Sequence, residues 1–152
     1  MNNSNIAFGG VLPAAAAEGS EQMLVLTTEA LLVRAAELEA AWYSPPRMWH
    51  GPSGTPVTGE QAAAHLDYAR SLLKREGWAP GEFGLSEVLD GPVDQTGVCV
   101  SVLELIICAH TGAGAAEPRL WDKVPGRTAE QVRALLGAGA AYARRNGPTD
   151  HH

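Results

Sequence analysis

The stretch LWDKVPGRTAEQVRALL, residues 120–136, carries the strongest structural signal in the chain. It opens with a turn, Trp121 to Arg127, that contains a proline and a glycine. Thr128 then precedes Gln131 at the spacing of a capping box, which marks the start of a helix. The apolar positions that follow share one helix face, and they are Val132, Leu135, Leu136 and Ala143. We therefore expect an aromatic turn and then a helix from Thr128 to about Arg145, ended by Gly147-Pro148.

Two more helices are expected in the first half of the chain. The first begins near Thr27 or Thr28 and ends before Pro45-Pro46. The second has a capping-box signal at Thr58 and Gln61, and a glycine at position 77 is its natural end. The predicted inward positions are Leu31, Ala35, Leu38 and Trp42 in the first helix, and Ala62, Leu66, Ala69 and Leu73 in the second.

The apolar segment over residues 98–110 is ambiguous. Its β-branched residues favour a buried strand, whereas its length and the polar positions Ser101 and Glu104 suit a buried helix. Periodicity does not decide between them, and we choose the helix. Residues 78–97 are rich in turns, with at most one short helix near Ser86 to Leu89. The expected fold is mainly α: a small single-domain bundle of about four helices with long Pro/Gly-rich loops.

Composition limits the size and the partners of the fold. A chain of 152 residues with 45% hydrophobic residues suits one core rather than two domains. Residues 1–23 read as an N-terminal extension, flexible or docked on a partner, residues 24–147 as the helical domain, and residues 148–152 as a C-terminal tail. The net charge of −6 gives no general electrostatic reason to bind nucleic acid or an anionic membrane.

No targeting or membrane-spanning segment is expected. The longest apolar run is interrupted at Ser101 and Glu104 and is shorter than the ~18 residues of a membrane span. The first 18 residues contain no Lys or Arg, unlike a signal peptide. We therefore expect a cytoplasmic protein. Cys99 and Cys108 lie too far apart on a continuous helix to form a disulfide, so both should be reduced, buried thiols.

The chain resembles a family of small actinobacterial proteins described only as a domain of unknown function. The resemblance covers residues 62–145, and its motifs are a Gly-Trp pair at Gly77-Trp78, a segment led by Cys99 and the turn at Trp121. In that family the last two read C-A-L-G-A-L and W-N-D-x-P-G-R-T. Here Val102 replaces a small glycine, and Asp122 and Lys123 stand where Asn and Asp are expected. The resemblance implies an actinobacterial origin and a small helical fold, and it implies no reaction.

Glu104 is the acidic residue that we expect to be most buried, because apolar residues surround it. On a helix it shares a face with Ser101 and Cys108, which would place a polar stripe on an apolar element. Ser101 is therefore a candidate ligand or interface residue beside it. A desolvated carboxylate has a raised pKa and can act as an acid or base. The structural alternative is that Glu104 pairs with an arginine or a backbone donor, or faces a partner subunit.

Aromatic residues and one arginine give further candidates. Trp49 and His50, in a Pro/Gly-rich loop, could line a pocket, with the indole stacking on a ligand and the imidazole carrying a proton; alternatively, the tryptophan only pins its loop. Trp121 could line a cavity or an interface, or pack on the core. Arg127 could clamp a ligand carboxylate, or anchor the Trp121 turn.

Two functional classes remain open. The first, which we prefer, is an accessory or interaction subunit that binds a larger partner protein, in actinobacterial specialised metabolism or a mobile element. The second is a small cofactor-free enzyme or small-molecule binder that uses the buried acid Glu104 and the loop histidine His50 as proton carriers. Its site could be shared across a heteromeric interface. No metal or cofactor is expected, since the Cys and His residues lack ligand spacing, and a Cys nucleophile is disfavoured by its apolar setting.

Overall fold

In a computed structural model, which describes residues 29–149, the chain forms four long helices, and no strand occurs in that range. The mainly α prediction is confirmed. The elements are α1 (Glu29–Trp42), a short 3-10 helix (Arg47–Trp49), α2 (Gly59–Glu76), α3 (Leu85–Val88), α4 (Val93–Thr111), α5 (Pro118–Trp121) and α6 (Ala129–Asn146).

Helix α4 lies at the centre of the bundle and packs against α1, α2 and α6. It is apolar on nearly every side, as expected of a helix that other helices surround. Its fully buried positions include Cys99, Val102, Leu103, Leu105 and Ile106. Residues 98–110 are thus helical, as predicted. Their sequence lacks a helical period because the helix is buried on nearly all sides, so apolar residues occupy every face.

The two predicted capping boxes are present. Thr58 Oγ1 accepts a hydrogen bond from the Gln61 backbone at 3.0 Å, and Gln61 Oε1 accepts one from the Thr58 backbone at 2.8 Å. Thr128 and Gln131 make the same pair of bonds at 3.1 Å and 2.9 Å. Each pair satisfies backbone donors that the first turn of a helix leaves free, which fixes where α2 and α6 begin. The predicted inward positions of α2 are all buried.

Helices α2 and α6 run antiparallel, and their backbones come into contact where α2 begins and α6 ends. The Gly59 backbone N–H donates to the Pro148 carbonyl at 2.8 Å. A Cβ atom on Gly59 would overlap the carbonyl oxygen of Ala143 and lie 2.9 Å from Cα of Gly147. The two backbones are therefore in direct contact at this point, and only a glycine, which has no Cβ atom, fits between them.

One helix boundary and one inward position differ from the prediction. Helix α4 begins at Val93 and includes Gly97, which the sequence analysis assigned to a turn-rich segment. A glycine inside a helix costs about 1 kcal/mol relative to alanine, but a Cβ atom here would come within 2.8 Å of the Pro52 ring. The Pro52 loop thus packs on the helix through this glycine. Trp42, the last residue of α1, was predicted to face the core, and that prediction is wrong because the residue is 37% exposed.

Parts of the predicted organisation lie outside the described residues. The N-terminal extension (1–23), the start of the first helix at Thr27 or Thr28 and the last three residues of the tail are among these. Pro148, which the sequence analysis placed in the tail, is bonded to Gly59 through its carbonyl oxygen.

Helix α4 is long and apolar enough to cross a membrane by length and composition. It is also the core helix of the bundle, and 56% of its most apolar window is buried inside the fold. Its burial accounts for its apolar composition without a lipid environment.

Candidate functional site

The Trp121 turn is closed by contacts between its first and last residues. The Arg127 guanidinium carbon lies 3.8 Å from the centroid of the Trp121 ring, a cation–π contact. Arg127 Nε also donates a hydrogen bond to the Trp121 carbonyl at 3.0 Å. These contacts support the anchoring role for Arg127, whereas its role as a clamp for a ligand carboxylate stays a prediction.

Asp122 fastens the turn to the short helix α3. Its side chain is buried, and Oδ2 accepts hydrogen bonds from the Leu85 backbone at 2.9 Å and from Trp78 Nε1 at 3.1 Å. Within residues 29–149, Oδ1 has no hydrogen-bond partner. The Lys123 ammonium lies 3.9 Å from it, at the distance of an ion pair rather than a hydrogen bond. Sequence reasoning missed this role of Asp122.

Burial also affects the pKa of the Arg127 guanidinium, which packs against the Trp121 ring. It lowers the pKa of the Arg127 guanidinium to about 10, and the nearby Asp122 carboxylate opposes that shift. A pKa of about 10 still leaves the guanidinium protonated at neutral pH. The turn is therefore held by a positive charge stacked on an indole, with a buried carboxylate close by.

Two apolar side chains, one at the end of α5 and one in the turn that follows it, project into solvent. Leu120 is 61% exposed and Val124 is 46% exposed. Between them, the Lys123 ammonium donates a hydrogen bond to the Arg119 carbonyl at 2.8 Å. We call Leu120, Lys123 and Val124 the turn surface.

Trp49 lies in the core. It is 2% exposed, and its ring stacks on Tyr142 with centroids 6.4 Å apart. Its Nε1 donates to Glu39 Oε2 at 2.8 Å, and the Tyr142 hydroxyl donates to Glu39 Oε1 at 2.5 Å. Burial and the Glu39 hydrogen bond raise the pKa of Tyr142, so its hydroxyl keeps the proton that it donates. This geometry supports the alternative that Trp49 pins its loop, rather than lining a pocket.

His50 follows Trp49 in the chain but points away from the core. The residue is exposed, and its backbone N–H donates to the Arg47 carbonyl at 3.1 Å. Within the described residues, no hydrogen bond, ion pair or ring contact joins the side chains of His50 and Glu104. The two predicted proton carriers are thus not brought into contact, and their catalytic roles stay predictions.

Glu104 and Ser101 are both partly buried on α4. The prediction that Glu104 is the most buried acidic residue is therefore wrong, because among the described residues Asp122 is only 1% exposed. Glu104 Oε2 accepts a hydrogen bond from the Ala116 backbone at 3.0 Å. The carboxylate thus ties the loop after α4 to the helix, which is the backbone-donor alternative of the sequence analysis. No contact on this face reveals a function for Ser101.

Both thiols are buried and unpaired with each other. Burial raises the pKa of Cys99 to about 12. Burial raises the pKa of Cys108 to about 12 as well, and the neighbouring Glu104 charge adds to that shift. A thiol that stays protonated at neutral pH is a poor nucleophile and a poor metal ligand. Within residues 29–149, no group of three or more His, Cys, Asp or Glu side chains is placed to hold a metal ion.

His110 is a buried titratable group that sequence reasoning did not single out. It lies near the end of α4 and is 4% exposed. Burial lowers its pKa far below the usual value, and the positive charges of Arg34 on α1 and Arg127 in the turn lower it further. The imidazole is therefore neutral in the folded protein.

This environment predicts a loss of stability on mild acidification. The unfolded chain takes up a proton at His110 near its ordinary pKa of 6.5, which the folded protein does not. Stability contributed by the neutral imidazole is thus present above pH 6.5 and declines below it, by about 1.4 kcal/mol per pH unit. Urea unfolding at pH 7 and pH 5 should show a loss of about 2 kcal/mol from this residue. His110→Gln should have a flatter profile, and parallel profiles for the two proteins would contradict the assignment.

A surface groove lies beside the first half of α4. Its volume is about 580 Å³. We call it the α4 groove, and its lining residues are Pro52, Asp90, Gly91, Val93, Thr96, Gly97, Val100 and Arg119. None of the six residues predicted to form a site lines it. Their sequence positions gave no signal for it, since the groove forms where a loop, the residues after α3 and helix α5 meet α4.

No protein-family model, curated protein or solved structure matches this chain. The resemblance to the actinobacterial family and the cellular setting that it implies therefore stay predictions.

Proposed function

We propose that the protein is an accessory or interaction subunit that binds a larger partner protein through the turn surface. The observation that carries this proposal is a pair of exposed apolar side chains, Leu120 at the end of α5 and Val124 in the turn that follows, on a segment whose conformation is fixed by buried contacts. Burying Leu120 and Val124 against a partner would remove apolar area from water, at roughly 25 cal/mol per Å².

The fixed conformation of the turn favours binding. Trp121 and Arg127 close it, and Asp122 bonds it to the N–H of Leu85. A surface that is already ordered loses less conformational entropy on association than a flexible loop does. The two apolar side chains are therefore presented in one arrangement, as interface anchors commonly are.

The charges around the turn surface indicate the chemistry of the partner. The exposed Lys123 ammonium places positive charge beside Leu120 and Val124, whereas the Arg119 guanidinium is already paired with Glu117. This positive charge stands out on a chain that as a whole carries −6. A complementary partner surface would have an apolar pocket with carboxylates at its rim. Such a rim would also orient an otherwise acidic protein so that the turn meets the partner first.

A matched pair of double variants tests the proposal. Leu120→Ser with Val124→Ser removes the apolar side chains of the turn surface. Tyr68→Ser with Val33→Ser is the control, because those residues are 61% and 43% exposed and lie on α2 and α1. Each tagged protein is expressed in the source organism, and the co-purified partner is then titrated against it in vitro.

We expect a partner in fixed stoichiometry with the parent protein and with the control. The turn variant should bind at least about tenfold more weakly, since interface anchors are worth more than about 1.4 kcal/mol. A parent protein that purifies alone as a monomer would contradict the proposal, and so would equal affinities of the two variants.

The enzyme alternative has less support. Glu104 is hydrogen-bonded to the Ala116 backbone, and within residues 29–149 the exposed His50 makes no hydrogen bond or ion pair with that carboxylate. A general base and its partner need to lie within hydrogen-bond reach of one reacting atom. The contacts around Glu104 and His50 therefore favour the interaction subunit over the enzyme.

A further inference from the structure

We propose that the α4 groove binds an apolar organic cation of the class of primary alkyl amines. This inference does not depend on the partner proposed above. Small-molecule sites typically measure about 300–1,000 Å³ and combine apolar walls with a few polar groups, and the groove, at about 580 Å³, lies in that range.

The apolar walls come from three side chains on two elements. Pro52 belongs to the loop that packs on α4, whereas Val93 and Val100 lie on α4 itself. Val93 is 64% exposed, so covering it with a hydrocarbon chain would remove apolar area that the fold leaves in water. These walls account for the hydrocarbon part of the ligand.

The charged residues of the groove determine which sign of charge on a ligand is favoured. Its two charged lining residues are Asp90 and Arg119. Arg119 Nε lies 3.2 Å from Glu117 Oε1, so that guanidinium already has a counter-ion. The Asp90 carboxylate makes no hydrogen bond or ion pair with any other residue in the described range 29–149. The uncompensated charge of the groove is therefore negative.

A second carboxylate strengthens this negative potential. Asp94 Oδ1 accepts a hydrogen bond from the Ser53 backbone at 2.9 Å, and Oδ2 accepts one from the Ser53 hydroxyl at 2.7 Å. The backbone bond first, and then the hydroxyl bond, lower the pKa of Asp94, so it remains ionised. Ser53 and Asp94 are the chain neighbours of Pro52 and Val93, which line the groove. The chain's overall charge of −6 acts in the same direction.

Matched six-carbon probes separate the charge from the hydrocarbon. Hexylammonium, 1-hexanol and hexanoate are titrated into the full chain at pH 7 while backbone amide signals are followed by NMR. Hexylammonium should shift the amides of Val93, Thr96, Gly97 and Val100. It should bind about two- to five-fold more tightly than 1-hexanol, as expected for an exposed ion pair. Hexanoate should bind more weakly than the alcohol.

Three exposed-residue variants complete the test. Asp90→Asn should remove most of the preference for hexylammonium over 1-hexanol, whereas Glu130→Gln, which removes a charge outside the groove, should keep it. Val93→Asn should weaken the binding of both hexylammonium and 1-hexanol, because it removes part of the apolar wall. The proposal is overturned if groove amides do not shift, if hexanoate binds as well as hexylammonium, or if Asp90→Asn leaves the preference unchanged.

Discussion

Replacing Trp49 with alanine should lower the free energy of unfolding by about 3–5 kcal/mol. The indole is 2% exposed and stacks on Tyr142. Its loss would open a cavity beside that ring and remove one of the two hydrogen bonds that the Glu39 carboxylate accepts. Guanidinium unfolding followed by far-ultraviolet circular dichroism measures the change.

His50→Ala is the matched control for this prediction. His50 is the next residue in the same loop, but it is exposed, so its loss should change stability by no more than about 0.5 kcal/mol. Similar losses for the two variants would show that Trp49 is not a core residue. That result would restore the interpretation in which both side chains line a ligand pocket.

Gly59→Ala should destabilise the protein by about 3 kcal/mol or more. The added Cβ atom would overlap the Ala143 carbonyl oxygen and press on Cα of Gly147. Both obstacles are backbone atoms, so no side-chain rotation can relieve the overlap. The start of α2 and the end of α6 would have to separate, which would also break the bond from Gly59 to Pro148. Thermal and denaturant unfolding both report the loss.

Gly137→Ala, on the partner helix α6, provides the control. A Cβ atom there would meet only the guanidinium of Arg70, at 3.5 Å, which is an ordinary contact. Replacing a helix glycine with alanine should then stabilise the protein by up to about 1 kcal/mol. If both substitutions have the same sign, the close approach of α2 and α6 at Gly59 is wrong.

The features that the sequence predicts correctly depend on residues close together in the chain. Thr58 and Thr128 each cap a helix through a glutamine three positions later, so the signal lies in one short window. The inward face of α2 is read in the same way, from the helical spacing of Ala62, Leu66, Ala69 and Leu73. These local patterns predict three of the four long helices, whereas the central helix α4, which lacks periodicity, stayed ambiguous between helix and strand.

The candidate site depends on distant residues and was mostly missed. The burial of Trp49 is explained by Tyr142, on which its ring stacks. The Tyr142 hydroxyl and the Trp49 indole both donate to Glu39, although Tyr142 lies 103 positions after Glu39 in the chain. Asp122 is explained by Leu85, 37 positions away. One sequence gives no signal for such pairs, so Trp49 resembled a pocket residue and Asp122 attracted no role. The Arg127 anchor was anticipated because Trp121 lies only six positions away.

The dependence of α3 on Asp122 has a consequence for how the turn can be observed. A helix of four residues is not stable alone. Its first backbone N–H group, at Leu85, donates a hydrogen bond to the Asp122 carboxylate. The short helix and the turn should therefore open together. The exchange of the Leu85 amide proton with deuterated solvent then reports the opening of a turn that lies far along the chain, and any molecule that clamps the turn shut should slow that exchange.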